Sequence, residues 1–140
     1  MEKRLLVIQE HHTKRNNLHW DVRFEAGGVI DTYLDKRTTA TREPMGPSEG
    51  KVLRSYVIPK HQFPDTRGKV LMAILVEDHP WDYRDFEGTI EDGYGAGEVK
   101  LLFCDYVEVS KFTDEKITFH FGEQWYTIFK TTKGHLIKLN

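Results

Sequence analysis

From His19 to Phe24 polar and apolar side chains alternate without a break, with His19, Asp21 and Arg23 set against Trp20, Val22 and Phe24. A period of two marks a strand with one buried face. The aromatic and aliphatic side chains must then face a core, leaving imidazole, carboxylate and guanidinium in a row on the opposite face. Elsewhere the apolar positions fall in short runs rich in Val, Ile, Tyr, Phe and Thr, separated by Gly, Pro, Asp and Asn, which favours strands over helices. The pattern predicts strands at Arg4–Glu10, His19–Glu25, Val29–Leu34, Val52–Ile58, Val70–Glu77, Val99–Val109, Lys116–Phe121, Trp125–Lys130 and His135–Leu139. The expected fold is all-β: a small closed antiparallel barrel of about eight strands with minor helical or loop decoration. Turn chemistry at Ala26-Gly27-Gly28, Phe121-Gly122-Glu123 and Thr132-Lys133-Gly134 fits antiparallel hairpins. Two stretches, Thr38–Gly50 and His61–Gly68, read as irregular, either as loops over a site or as plain surface connections.

A chain of 140 residues suits one domain, here residues 1–140, large enough to fold without a covalent staple. The single cysteine, Cys104, rules out an intrachain disulfide, fits a reducing cytoplasmic compartment and is read as a core residue within Lys100-Leu101-Leu102-Phe103-Cys104. The first ten residues hold too short an apolar stretch for a signal peptide, and no run is long enough to span a membrane. A net charge of −2 and a pI near 6.4 argue against a protein that coats nucleic acid electrostatically. An enzyme that visits a strand end touches fewer phosphates and escapes that argument.

The polar row at His19, Asp21 and Arg23 gains meaning from Gln9-Glu10-His11-His12 at the end of the preceding strand, because a neighbouring strand end can bring a second imidazole beside it. Two histidines and a carboxylate suit Mn²⁺, Fe²⁺ or Zn²⁺ better than Ca²⁺ and leave positions open for water and a phosphate oxygen. Arg23 would hold the phosphoryl group with its forked cation. The stretch Val76-Glu77-Asp78-His79-Pro80-Trp81-Asp82-Tyr83 is dense in proton-transfer groups; His79 is suited to stabilise a transition state or protonate a leaving oxygen, and Tyr83 to bond a phosphate. Gly93-Tyr94-Gly95-Ala96-Gly97 follows no strand-to-helix pattern and reads as a barrel-corner turn. His61, His120 and His135 receive no role.

These residues resemble the 3′-phosphoesterase module of bacterial DNA ligase D and its free-standing archaeal relatives. Val7-Ile8-Gln9-Glu10-His11-His12 with Leu18-His19-Trp20-Asp21-Val22-Arg23 is similar to the family's first motif, and Leu53-Arg54-Ser55-Tyr56-Val57-Ile58-Pro59-Lys60 to its second. Val76-Glu77-Asp78-His79-Pro80 through Tyr83-Arg84-Asp85-Phe86-Glu87-Gly88 resembles the third, which closes with the glycine-rich stretch. The resemblance implies a barrel and Mn²⁺-dependent chemistry at DNA 3′ ends, with Co²⁺ or Zn²⁺ as substitutes for Mn²⁺. A 3′-terminal ribonucleoside is removed, and the remaining 3′-phosphate is then hydrolysed to a ligatable 3′-OH. It implies His11, His19 and Asp21 as metal ligands, and Arg23, His79 and Tyr83 as catalytic and phosphate-binding residues. Gln9, Glu77 and Lys60 become supporting positions on the substrate side. The expected partner is a DNA primer-template with a 3′-ribonucleotide or 3′-phosphate end. The protein is expected to be a monomer, with no membrane partner and with ligase and polymerase functions supplied by separate proteins.

The chain departs from the family pattern in three places. The loop His12–Leu18 is about two residues longer than usual, so His11 and His12 compete as ligand, with His11 holding the family's spacing from Gln9. An extra segment, Val29–Glu49, precedes the second motif. Leu71 stands where the family often has a basic residue. Two other readings compete: a cupin-like metal enzyme acting on small molecules, and a non-catalytic nucleic-acid-binding β-barrel with Trp81, Tyr83 and Tyr94 as stacking platforms. The first lacks the expected His-x-His pair, and the second gives His11, His19 and Asp21 no task.

Overall fold

Eleven strands, all paired antiparallel, make up the computed structural model, which describes residues 2–27, 51–93 and 95–140. The expected strand Val29–Leu34, the turn at Gly28, the stretch Thr38–Gly50 and Tyr94 lie outside the described residues. The strands are β1 (Glu2–Thr13), β2 (Leu18–Gly27), β3 (Lys51–Ile58), β4 (Val70–Met72), β5 (Ile74–Leu75), β6 (His79–Pro80), β7 (Gly88–Ile90), β8 (Gly97–Phe112), β9 (Lys116–Phe121), β10 (Gln124–Thr131) and β11 (Gly134–Leu139). One short 3-10 turn, Trp81–Asp85, separates β6 from β7. Among the described residues no helix is long and apolar enough to cross a membrane.

The ladder runs β4-β11-β10-β9-β8-β1-β2-β3-β5, with β6 added to β3 and β7 to β8. The expectation of a closed barrel needs correcting here, because the path starts at β4 and ends at β5. The predicted strand Val70–Glu77 breaks at Ala73: its first part pairs with β11, the Ala73 N–H donates to the His135 carbonyl, and Ile74–Leu75 then pairs with β3. Segments of three and two residues each satisfy one neighbour, so no single strand joins β11 to β3.

Alternation sorts side chains to two faces. Leu6 and Ile8 of β1, Val22 and Phe24 of β2, and Tyr56 and Ile58 of β3 enter the main core with Ile117, Phe119, Ile128 and Ile137. Phe24 packs edge-on against Phe119 with centroids 5.0 Å apart. The irregular His61–Gly68 stretch contributes Phe63, which meets Trp20, Phe119, Phe121 and Tyr126, so this segment plugs the core. Towards the other end of β3, buried Arg54 donates to the Tyr56 hydroxyl at 2.7 Å and to the Asp114 carbonyl at 2.6 Å, a satisfied polar contact inside the apolar wall.

On the opposite face Leu5, Val7, Leu53 and Trp81 form a second, smaller cluster against Tyr83 and Leu101. A bulge assists: Ile8 pairs with Phe103 but Gln9 with Leu101, so Leu102 is the extra residue. Leu101 therefore joins the second cluster while Phe103 packs against the first, because one inserted residue reverses the facing of everything beyond it. One expectation fails on burial: Cys104 is exposed on β8 rather than in the core. Trp81, a stacking platform in the rival binding-barrel reading, is 4% exposed, packed with Leu5, Val7 and Leu53 and with Lys51 Nζ and the Arg84 guanidinium each 4.8 Å from its ring centroid.

Candidate active site

Antiparallel pairing of β1 with β2 sets His11 directly across from His19 and Gln9 across from Asp21. Ile8, Val22 and Phe24, which alternate with these residues, are in the main core with Trp20 packed against it, so this group faces the other side, beneath the segment that carries β6 and the 3-10 turn. His11, Asp21 and Arg23 are buried and His19 is partly so. One ligand-type atom from each of His11, His19 and Asp21 lies within 4.8 Å of the others. His12 is exposed, with Nε2 3.1 Å from Asn16 Oδ1, so the structure brings His11 and not His12 to Asp21.

The imidazoles are oriented by their outer nitrogens. His11 Nε2–H donates to the Gly95 carbonyl at 2.7 Å, which turns Nδ1 towards Asp21 Oδ2 at 3.4 Å. His19 Nδ1–H donates to Asn17 Oδ1 at 3.0 Å, which turns Nε2 towards Asp21 Oδ1 at 3.2 Å. Fixing one ring nitrogen on a carbonyl oxygen so that the other offers its lone pair is the usual support of a metal-binding histidine. The set of two imidazole nitrogens and a carboxylate fits Mn²⁺, Fe²⁺, Co²⁺ or Zn²⁺. The hydrogen bond to Asp21 holds His11 above the ordinary imidazole value, against burial, which pushes it down. Burial alone would raise Asp21, but the Arg23 charge and the bonds from His11 and His19 hold its carboxyl well below the usual carboxylate range.

Arg23 ties this centre to the third motif. Its Nε donates to Gln9 Oε1 at 2.8 Å, its Nη2 lies 3.4 Å from Asp21 Oδ2, and its Nη1 lies 3.1 Å from His79 Nδ1. Gln9 is fully buried, and its amide nitrogen donates to the carbonyls of Phe86 (3.0 Å) and Tyr83 (3.4 Å). Both ends of that amide are committed, so Gln9 acts by aiming Arg23 and anchoring the 3-10 turn. Pairing of β6 with β3 sets His79 opposite Leu53 and near Ser55, whose hydroxyl donates to the Leu53 carbonyl at 3.0 Å and lies 3.4 Å from His79 Nδ1. Burial and then the Arg23 charge push His79 down to about 3, so its ring is neutral at ordinary pH. The same Nδ1 is 3.0 Å from the Glu77 carbonyl, and a neutral ring can serve only one partner there: it accepts from Arg23 or donates to Glu77. Tyr83 stacks on Phe86 at 4.8 Å with its ring 5.1 Å from the Arg23 guanidinium, and burial pushes its phenol up, so it stays protonated.

Of the remaining expected residues, Glu77 lies beside His79 with a buried Oε2 that has no hydrogen-bond partner among the described residues. Lys60 is exposed in the turn after β3, apart from this hydrogen-bonded group. Leu71 is core, paired with Ile137 on β11. Sequence reasoning passed over Asn17, Ser55 and the Gly95 carbonyl. Asn17 was legible in principle, since it stands one residue ahead of β2 and two before His19, where the strand alternation carried back by one residue would put it on the same side. A backbone carbonyl carries no such signal.

A family model described as the DNA Ligase D 3′-phosphoesterase domain matches residues 48–125, a stretch that includes His79 and Tyr83 but not His11, His19, Asp21 or Arg23. The chain is 36% identical over 118 residues to the multifunctional non-homologous end joining DNA repair protein LigD of Mycobacterium tuberculosis, covering 84% of this chain and 12% of that protein. The corresponding LigD of Mycolicibacterium smegmatis is 35% identical over 107 residues (76% of this chain, 11% of the relative), and that of Pseudomonas aeruginosa 38% over 93 residues (66% and 8%). The chain thus spans about a tenth of the length of these relatives. More than half of the chain matches the family model and the mycobacterial likeness extends over most of the rest, so the chain belongs to the DNA ligase D 3′-phosphoesterase domain family.

Proposed function

We propose that this chain is a metal-dependent phosphoesterase that processes DNA 3′ ends, removing a terminal ribonucleoside and then the 3′-phosphate to leave a ligatable 3′-OH. The observation that supports it most is the convergence of His11, His19 and Asp21 on one point, with the Arg23 guanidinium 3.4 Å from the same carboxylate. His11 Nδ1, His19 Nε2 and one Asp21 oxygen would hold the ion, with Mn²⁺ the proposed species and Co²⁺ or Zn²⁺ as substitutes. When bound, such an ion polarises a phosphate oxygen and lowers the pKa of a bound water.

The chain's own groups do the rest. Each Arg23 terminal nitrogen carries two N–H groups, so the contacts to Asp21 and His79 leave donors for two phosphate oxygens. Gln9 keeps that fork from swinging, which matters because a pre-aimed cation needs no reorganisation as charge develops on phosphorus. His79 is neutral in the metal-free site. A phosphate beside it supplies negative charge that favours the imidazolium, so substrate binding itself would ready His79 to protonate the leaving oxygen. Tyr83, kept protonated, would donate to a non-bridging oxygen.

The reading is tested by incubating the protein with Mn²⁺ and a 5′-labelled primer-template ending in one ribonucleotide, beside a metal-free control. Successive 3′-phosphate and 3′-OH products are expected. A primer that is bound and left unchanged would favour a non-catalytic binding barrel.

A further inference from the structure

We infer that Asn17 is a positioning residue that selects the tautomer of His19, presenting Nε2 rather than Nδ1 to the metal centre. The inference rests on the reading of His11, His19 and Asp21 as that centre. A histidine on a strand offers either ring nitrogen, and a neutral ring protonated at Nε2 would point a hydrogen at the site instead of a lone pair. His19 Nδ1 is 3.0 Å from Asn17 Oδ1, and an amide oxygen can only accept, so a proton resides on Nδ1, and Nε2, 3.2 Å from Asp21 Oδ1, is the nitrogen left to exchange its proton for an ion.

The turn between β1 and β2 is built to hold that oxygen in place. Thr13 N–H donates to the Asn17 carbonyl at 2.8 Å and Asn17 N–H donates to Thr13 Oγ1 at 3.2 Å, so Asn17 is clamped on both backbone groups. Asn16 takes φ +62°, which asparagine tolerates better than most residues, and its N–H donates to the Thr13 carbonyl at 3.0 Å. The turn is in turn tied to the glycine-rich stretch by Lys14 N–H to the Ala96 carbonyl at 2.8 Å. None of these bonds uses the Asn17 side chain, which is left for His19. The result is an asymmetric pair: His11 is fixed through Nε2 by a backbone carbonyl, whereas His19 is fixed through Nδ1 by a replaceable side chain.

The test compares wild type with Asn17→Leu, similar in size but without an acceptor, and Asn17→Asp, which keeps one. Nitrogen-15 shifts of the His19 ring in the protein loaded with diamagnetic Zn²⁺ report which ring nitrogen keeps its proton. Titration with Mn²⁺ alone, followed by loss of the free-ion electron paramagnetic resonance signal, reports affinity. Expected are an Nδ1–H ring in wild type and Asn17→Asp, a shift towards Nε2–H in Asn17→Leu, and Mn²⁺ affinity about 10–100-fold weaker in Asn17→Leu but restored in Asn17→Asp. An unchanged thermal midpoint in Asn17→Leu accompanies these, because the turn's backbone bonds remain. Equal tautomer and affinity in wild type and Asn17→Leu would overturn the inference alone. Absence of both Mn²⁺ and Zn²⁺ binding by folded wild type would overturn the reading of the metal centre and the inference with it.

Discussion

Arg23 Nη1 meets His79 Nδ1 at 3.1 Å across 56 residues of sequence, and this contact joins the strand that bears Asp21 to the segment that bears Tyr83. It also explains the unusual state of His79. Burial is the larger influence and the neighbouring cation the second, both disfavouring the imidazolium. Arg23 therefore restrains a proton on the very group that would later deliver one.

Arg23→Lys should lower activity by about 10²-fold or more, since a point charge cannot serve Gln9, Asp21 and a phosphate fork together. Arg23→Gln removes the charge, so His79 should titrate above its wild-type value of about 3 in the metal-free protein while staying below 6.5, because burial persists. Proton NMR titration of His79 checks the second point, and an unmoved His79 would remove Arg23 from the account of its state.

Mn²⁺ at 100 times its dissociation constant should stabilise wild type by about 2.7 kcal/mol, seen as a raised thermal midpoint. His19→Ala should lose that shift and both activities with the fold intact. Asp21→Ala should lose them too and also destabilise the fold, by roughly 3–5 kcal/mol, because Arg23 would remain buried without its carboxylate. Full activity in either variant would overturn the ligand assignment.

Much of this centre was legible because it obeys strand periodicity. Alternation from His19 to Phe24 fixed which side chains share a face, and His11, directly after the predicted strand Arg4–Glu10, made the cross-strand meeting with His19 foreseeable. What escaped was set by interactions without a period. The strand Val70–Glu77 breaks at Ala73 because two different neighbours claim its halves, and β6 and β7 are two and three residues long, too short to leave a pattern. Trp81 could be offered as a platform by the rival binding-barrel reading because its burial depends on Leu5, Val7 and Leu53 from distant strands. The open ladder at β4 and β5 likewise follows from pairing rather than from composition.

The metal-free protein should be most stable near pH 6.5. Below that value an unfolded chain protonates His79 while the folded chain resists until about 3, so the unfolded state binds more protons and stability falls with acid. Above it, His11 keeps its proton in the folded state after the unfolded chain has lost its own, so stability falls with alkali through the raised His11 value. Thermal midpoints from pH 4 to 9 check this; His79→Gln should flatten the acid limb and leave the alkaline one. A wild-type profile lacking the alkaline limb would contradict the His11–Asp21 pairing at 3.4 Å.

Gly97→Ala should be among the most damaging single-methyl changes in the molecule. Gly97 pairs with Thr13 at φ +149°, and a Cβ there would lie 2.1 Å from the His12 carbonyl oxygen and 2.6 Å from Thr13 Cα. Those are backbone atoms, so no rotamer change relieves the clash and β8 must move away from the end of β1, at a cost of roughly 2 kcal/mol or more. Because that strand end carries His11, Mn²⁺ affinity should fall together with stability. Gly122→Ala is the matched control: φ is +63° but nothing lies within 4 Å of the added carbon, so only the backbone cost of about 1 kcal/mol applies and metal affinity should hold. Chemical denaturation and Mn²⁺ titration of both variants separate the two effects. Equal losses in the two would mean that strain at glycine, rather than the fit of β8 against the His11 strand, governs this end of the sheet.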